Sequence, residues 1–159
     1  METRPLITNQ IECYATIFNN PFLLAPLLPA FFKALGGKDR GLLLAYLVLP
    51  LVLPKSSRNA LINSTRASSL RTFTKDVDRI YGLGQRIANQ RRMTNLMLQH
   101  MIDLGVFGMA ENASIIVASE LLSAGICPPD MLKAAGKFGV LCAPHSVPSI
   151  FLQLGIKNL

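Results

Sequence analysis

Acidic side chains are scarce in this sequence, nine Asp and Glu among 159 residues against sixteen Lys and Arg. Charge of either sign is sparse too. It makes up 16% of residues, where soluble domains carry roughly 25%. Half of the residues are hydrophobic. That composition excludes a disordered chain and supplies more apolar surface than one core of this size needs. Cysteine is equally sparse. Cys13, Cys127 and Cys142 are odd in number and lack paired spacing, which argues against a disulfide framework and for reduced thiols in a cytoplasmic protein. Met1-Glu2-Thr3-Arg4-Pro5 leads into no apolar stretch with a small-residue cleavage site, so no signal peptide is expected.

The motifs of catalysis are missing. A phosphate-binding loop around Gly136-Lys137 would need Gly at 131 and Ser or Thr at 138, where Met131 and Phe138 stand. There is no Gly-x-Ser-x-Gly elbow and no close pair of carboxylates in an apolar setting. Cys142-x-x-His145 has metal-like spacing, but only Cys127 could join it, and structural zinc takes four ligands. Buried thiols in a helical core are the better reading, with no metal and no cofactor. His100, among Met97, Met101 and Leu104, reads as a core histidine. The expectation is a protein that is not an enzyme.

What is present is a greasy block joined to a basic one. Residues 41–54 carry no charge and contain Leu47-Val48-Leu49-Pro50-Leu51-Val52-Leu53. From Lys55 to Arg92 nine basic side chains (Lys55, Arg58, Arg66, Arg71, Lys75, Arg79, Arg86, Arg91, Arg92) face two acids, Asp76 and Asp78, so this segment holds essentially all of the net +7. A membrane span wants about 20 apolar residues, and these runs are short or broken by proline. A membrane-inserted hairpin over 21–54, turning at Lys38-Asp39-Arg40, therefore ranks below a buried core or a subunit contact.

The pattern predicts a mostly α-helical single domain over residues 1–159: apolar N-terminal helices over 20–54, a basic segment over 55–92, and a helix plus winged-helix-like part over 83–159. Asn20-Pro21 starts a helix that Pro26 distorts and Gly36-Gly37 stops. Residues 41–53, apolar all round, form a buried helix. Residues 54–67 read as a polar loop. A helix from Ser68 to Tyr81 would put Arg71, Lys75 and Arg79 on one face. A longer helix over 83–104 turns Ile87, Leu96, Met97, His100, Met101 and Leu104 inward and ends at Gly105. Val106–Met109 and Ser114–Val117 suggest a small hairpin, although Ile115–Leu122 could also continue a helix. Pro128-Pro129-Asp130 restarts a helix through Cys142. A last short helix over Ile150, Phe151 and Leu154 stops at Gly155 and docks on the core or on a partner. The nine cations could contact nucleic acid or an acidic protein, or form a merely solvated face.

In series, Asn20-Pro21-Phe22-Leu23-Leu24, the 47–53 block running into Lys55-Ser56-Ser57-Arg58, Ala135-Gly136-Lys137-Phe138 and Pro148–Ile156 resemble the middle component of bacterial three-component ABC systems. The family often has a histidine before Lys-x-x-Arg. Pro54 stands there in this chain, so no role of that histidine carries over. The resemblance implies an adaptor without catalysis, encoded with an SMC-like ABC ATPase and an effector, commonly a nuclease, as in Lamassu-type anti-phage defence. DNA would be reached through the complex. A stand-alone DNA-binding regulator and a small membrane-associated protein are the rival readings.

Overall fold

The structure, a computed structural model, describes residues 19–119 and 127–157. Cys13, the first residues of the chain and residues 120–122 of the alternative helix reading lie outside them.

Asn20 opens the helical region, as its sequence promised. Its Oδ1 accepts from the amides of Phe22 (3.0 Å) and Leu23 (3.3 Å), and Pro21 takes the first helical position. Pro26 breaks the run into α1 (Pro21–Leu24) and α2 (Leu27–Leu35). Helix α2 stops where Gly36 takes φ 77°. A 3-10 turn, Gly41–Leu44, leads into α3 (Ala45–Val52), in which every residue except Tyr46 is buried.

The expected polar loop after Pro54 is instead a helix, α4 (Lys55–Ile62). Pro54 cannot donate a backbone N–H and holds an extended ψ of 134°, so the chain turns by 107° and starts a new helix. The single helix expected over 68–81 is two: α5 (Leu70–Thr74) and α6 (Val77–Ile80). Asp76 causes the break by taking the N-cap position, where its Oδ1 accepts from Asp78 N at 3.2 Å.

Helix α7 (Leu83–Asp103) follows, capped by Leu104 and the positive φ of Gly105. It buries Ile87, Met97 and Met101. Leu96 and Leu104, expected inside, are exposed. Strands β1 (Phe107–Met109) and β2 (Ile115–Val117) pair antiparallel in the register Phe107↔Val117, Gly108↔Ile116, Met109↔Ile115. The hairpin turn is tied back to the 3-10 segment: Arg40 N donates to Asn112 O (2.9 Å) and Leu42 N to Ala113 O (3.1 Å). Helix α8 (Pro129–Cys142) and α9 (Val147–Gln153) complete the order. The architecture is therefore mostly helical with a small two-stranded sheet.

The core is built on the crossing of α2 and α8, the most extensive pairing among the described elements. Phe31 and Phe138 stack there with centroids 5.2 Å apart. Phe32 extends the cluster to Phe107 of the hairpin, edge-on at 5.5 Å. The backbones approach closely enough that a β-carbon on Gly139 would run into Phe31 O and lie 2.9 Å from Ala34 Cβ. Helix α3 packs against α2, α4, α7 and α8. Helix α9 lies on α5 and the 3-10 turn and is held by buried Ile150 and Leu154. Phe151 is half-buried, so Ile150 is the anchor of this segment. No single helix among the described residues is long and apolar enough to cross a membrane; only the bent pair Gly41–Val52 and Lys55–Ile62 reaches such a length together.

Gly139→Ala should destabilise the protein by about 1–3 kcal/mol, because the methyl group must push α2 and α8 apart. Gly136→Ala meets nothing nearer than Ala30 O at 3.9 Å and should be neutral, or stabilising by up to about 1 kcal/mol through helix propensity. Urea denaturation of the two variants checks the difference, and equal midpoints would contradict the close crossing.

Candidate functional site

The nine basic residues divide into two groups. Arg58, Arg79 and Arg86 are turned inward, while Lys55, Arg66, Arg71, Lys75, Arg91 and Arg92 are exposed. The inward group has a specific task. Helix α3 ends inside the protein, and its last carbonyls lack intrahelical donors. Leu49 O is still taken by Leu53 N at 3.0 Å, but the four that follow depend on side chains. Pro50 O accepts from Arg86 Nη1 (2.6 Å), Leu51 O from Ser57 Oγ (2.6 Å), and Val52 O and Leu53 O from Arg58 Nη1 (3.2 and 2.8 Å). Two guanidinium groups at a helix C-terminus also complement its dipole. Lys-Ser-Ser-Arg after the greasy block is therefore a capping sequence.

Each of these arginines also ties in a second element. Arg58 Nε lies 3.1 Å from Asp130 Oδ2 in the first turn of α8. Arg86 Nη2 donates to Arg79 O (3.1 Å) and Tyr81 O (3.0 Å), locking the connection from α6 into α7. Burial lowers the pKa of the Arg86 guanidinium from its ordinary value. Arg79 Nη1 donates to Phe73 O at 3.2 Å, its Nε meets Asp76 Oδ2 at 3.2 Å, and its guanidinium stands 5.6 Å from the Phe73 ring centre. Arg71, Lys75 and Arg79 do not share a helix face. Arg71 lies in α5, Lys75 caps it, and Arg79 belongs to α6 and folds back onto the break.

Two further lysines, Lys38 and Lys137, cap helices in the same way, and the sequence reading passed over both. Lys38 Nζ donates to Ala143 O (3.1 Å) and His145 O (2.5 Å) beyond α8. Lys137 Nζ donates to Ser64 O (2.9 Å) beyond α4. Lys38 follows α2 and Lys137 lies within α8, so nothing in the local sequence marked either as a cap of another helix.

Cys127 and Cys142 are buried free thiols. Among the described residues no group of three His, Cys, Asp or Glu could hold a metal ion. Burial first, and the Asp130 charge second, push the Cys127 thiol up to about 11. Burial raises Cys142 further, against a small opposing effect of Lys38. His100 is half-buried, with its ring edge-on to Phe22 at 4.8 Å.

Beside that contact lies an apolar stripe. Leu96, His100 and Leu104 repeat at four-residue spacing along α7, with α1 packed on the helix. Phe22, Leu96 and Leu104 are 65%, 48% and 53% exposed. A second feature is a polar cleft of about 460 Å³ between α4 and the α5–α6 corner, floored by Phe73 and Leu141.

Arg86→Met keeps the aliphatic stem but strips donors from three carbonyls. It should cost about 1–3 kcal/mol in denaturant titration, whereas Arg91→Met should stay within about 0.5 kcal/mol of wild type. Comparable effects at both positions would refute the capping role. The thiols give a pH prediction. The unfolded Cys127 thiol ionises near 9.0 and the folded one near 11, so between them the unfolded state binds fewer protons. Stability should fall as pH rises from 9.0 towards 11, and Cys127→Ala should flatten that decline.

No curated protein and no solved structure matches this chain. A family model described as ABC-three component (ABC-3C) system Middle Component 3 matches residues 8–158, nearly the whole length, so helices α1 to α9 and their shared core fall within it. The chain belongs to the Middle Component 3 family of ABC-three component systems.

Proposed function

We propose that this middle component is a non-catalytic cytoplasmic adaptor that joins an SMC-like ABC ATPase to an effector, a nuclease, in a Lamassu-type anti-phage defence complex. The observation that carries the reading is the stripe of Phe22, Leu96 and Leu104 on α1 and α7. Large apolar side chains grouped on one helical surface are stable in water only at a cost, and a protein partner removes that cost. The stripe lies on the longest helix of the fold, beside the face that Ile87, Met97 and Met101 anchor in the core. A docked subunit would thus be held rigidly. Helix α7 and the following hairpin form the winged-helix-like part of the adaptor. The exposed Arg91 and Arg92 on the same helix would lie close to DNA held by the assembled complex.

Co-expression with the ABC ATPase encoded beside it provides the test. Wild-type chain should co-purify with the ATPase. Leu96→Glu with Leu104→Glu should reduce recovery of the complex at least tenfold while the melting temperature stays within about 3 °C, a shift equivalent to no more than about 1 kcal/mol. A monodisperse chain with no affinity for the ATPase would overturn the proposal.

A further inference from the structure

We infer that the cleft between α4 and the α5–α6 corner binds an extended, acidic segment of a partner protein. Its volume of about 460 Å³ lies in the range of real ligand sites. Helix α4 lines one wall with Ser56, Asn59 and Asn63, whose side chains make no hydrogen bond among the described residues. The opposite wall is already satisfied. Ser69 and Thr72 form a reciprocal cap, with Ser69 N donating to Thr72 Oγ1 at 2.8 Å and Thr72 N to Ser69 Oγ at 3.2 Å. Thr65 N donates to Ser68 Oγ at 2.9 Å. The free hydrogen-bonding capacity of the cleft therefore belongs to α4.

The spacing of that capacity fits an extended chain. Asn59 and Asn63 are one helical turn apart, about 6 Å along the axis. An extended peptide presents N–H and C=O to the same side every second residue, about 6.6–6.8 Å apart. Each carboxamide carries both a donor and an acceptor, so the pair can read two successive main-chain positions. Phe73 and Leu141 offer an apolar floor for one side chain between them.

Charge identifies the class of segment. Lys55 lies one turn before Asn59 on the same line of α4. Arg66, Arg71 and Lys75 are exposed and lie within two residues, along the chain, of the lining Ser64, Ser68, Thr72 and Asp76. Inside the cleft the balance is different. The lining cation is Arg79, already committed to Asp76 and to Phe73 O, and the Asp76 carboxylate is about half exposed. A phosphate backbone laid in the cleft would meet that carboxylate with no free cation beside it. A peptide can place its neutral main chain there and direct its carboxylates outward to the basic rim. This inference rests on the adaptor reading in one respect only: the segment would come from a partner subunit.

The test uses the full chain and a fluorescein-labelled ten-residue peptide alternating Glu and Ser, read by anisotropy beside a Lys–Ser peptide and a 20-base-pair duplex. The Glu–Ser peptide should bind most tightly. Asn59→Ala with Asn63→Ala should weaken it about tenfold, the loss of two or more main-chain hydrogen bonds, with circular dichroism unchanged. Asn59→Asp with Asn63→Asp, which keeps the shape but adds like charge, should abolish Glu–Ser binding and admit the Lys–Ser peptide. Peptide binding that ignores both double variants would reveal general attraction to the rim and overturn the inference. So would a duplex that binds more tightly than the peptide and is insensitive to the asparagines. Retention of the ABC ATPase by a variant that has lost the peptide leaves the adaptor reading standing, whereas peptide binding by a chain that retains no ATPase sinks the adaptor alone.

Discussion

The structure depends on how one buried helix ends. Helix α3 is apolar on every side, so no face of it can be given to water, and its C-terminal carbonyls stop in the interior. Four carbonyl groups without donors there would each cost about 1–3 kcal/mol, enough together to unfold a domain of ordinary stability. Pro54 makes the problem worse by removing the N–H that would have reached Pro50 O. Ser57, Arg58 and Arg86 resolve it, and in doing so they fix the 107° turn into α4 and the approach of α7. These hydrogen bonds tie α4 and α7 to α3, and the Arg58–Asp130 ion pair brings in α8.

This changes the meaning of the concentrated positive charge. A run of nine cations looks like a docking surface when counted along the chain. In three dimensions Arg58, Arg79 and Arg86 spend their donors on the protein's own backbone, and the remaining six cations are spread over α4, α5, its flanking turns and α7. Arginine suits the inward task because its planar fork reaches several carbonyls and stays charged when partly buried. At the far end of the core a different constraint operates. Gly139 lets α2 and α8 touch backbone to backbone, so Phe31 and Phe138 can stack and Phe32 can reach the hairpin.

Much of this was legible in the sequence because local chemistry agreed with the fold. Asn20-Pro21, Gly36, Gly105 and Pro128-Pro129 mark element boundaries through capping and φ preferences, which need no tertiary information. The hairpin was legible for the same reason. Helix α4 was not, since Lys55–Ile62 is half polar and its weak apolar periodicity is rescued only by Leu61 packing beneath α8. The split between α5 and α6 was missed because Asp76 reads as an ordinary helical residue until its carboxylate is seen capping Asp78 N. Leu96 and Leu104 matched an inward period, yet they face outward. Hydrophobic pattern cannot distinguish a core face from an exposed apolar one. The cleft was invisible from the sequence, because its walls are α4, which reads as a loop, and the corner that Asp76 makes between α5 and α6, which read as one helix.

Helix α3 also determines how the two candidate surfaces relate. The apolar stripe lies on α1 and α7, and α7 packs against one side of α3. The polar cleft is walled by α4, which packs against α3 as well. Both surfaces are thus fastened to the same largely buried helix, through Arg86 on one side and through Ser57 and Arg58 on the other. Helix α7 is also tied to α3 by the hydrogen bond from Tyr46 Oη to Asn95 Oδ1 at 2.7 Å. The stripe on α7 and the cleft wall on α4 are therefore positioned relative to one another through α3. The most apolar stretch of the chain thus acts from the interior: it holds apart, and holds in register, the elements that carry the exposed stripe and the cleft.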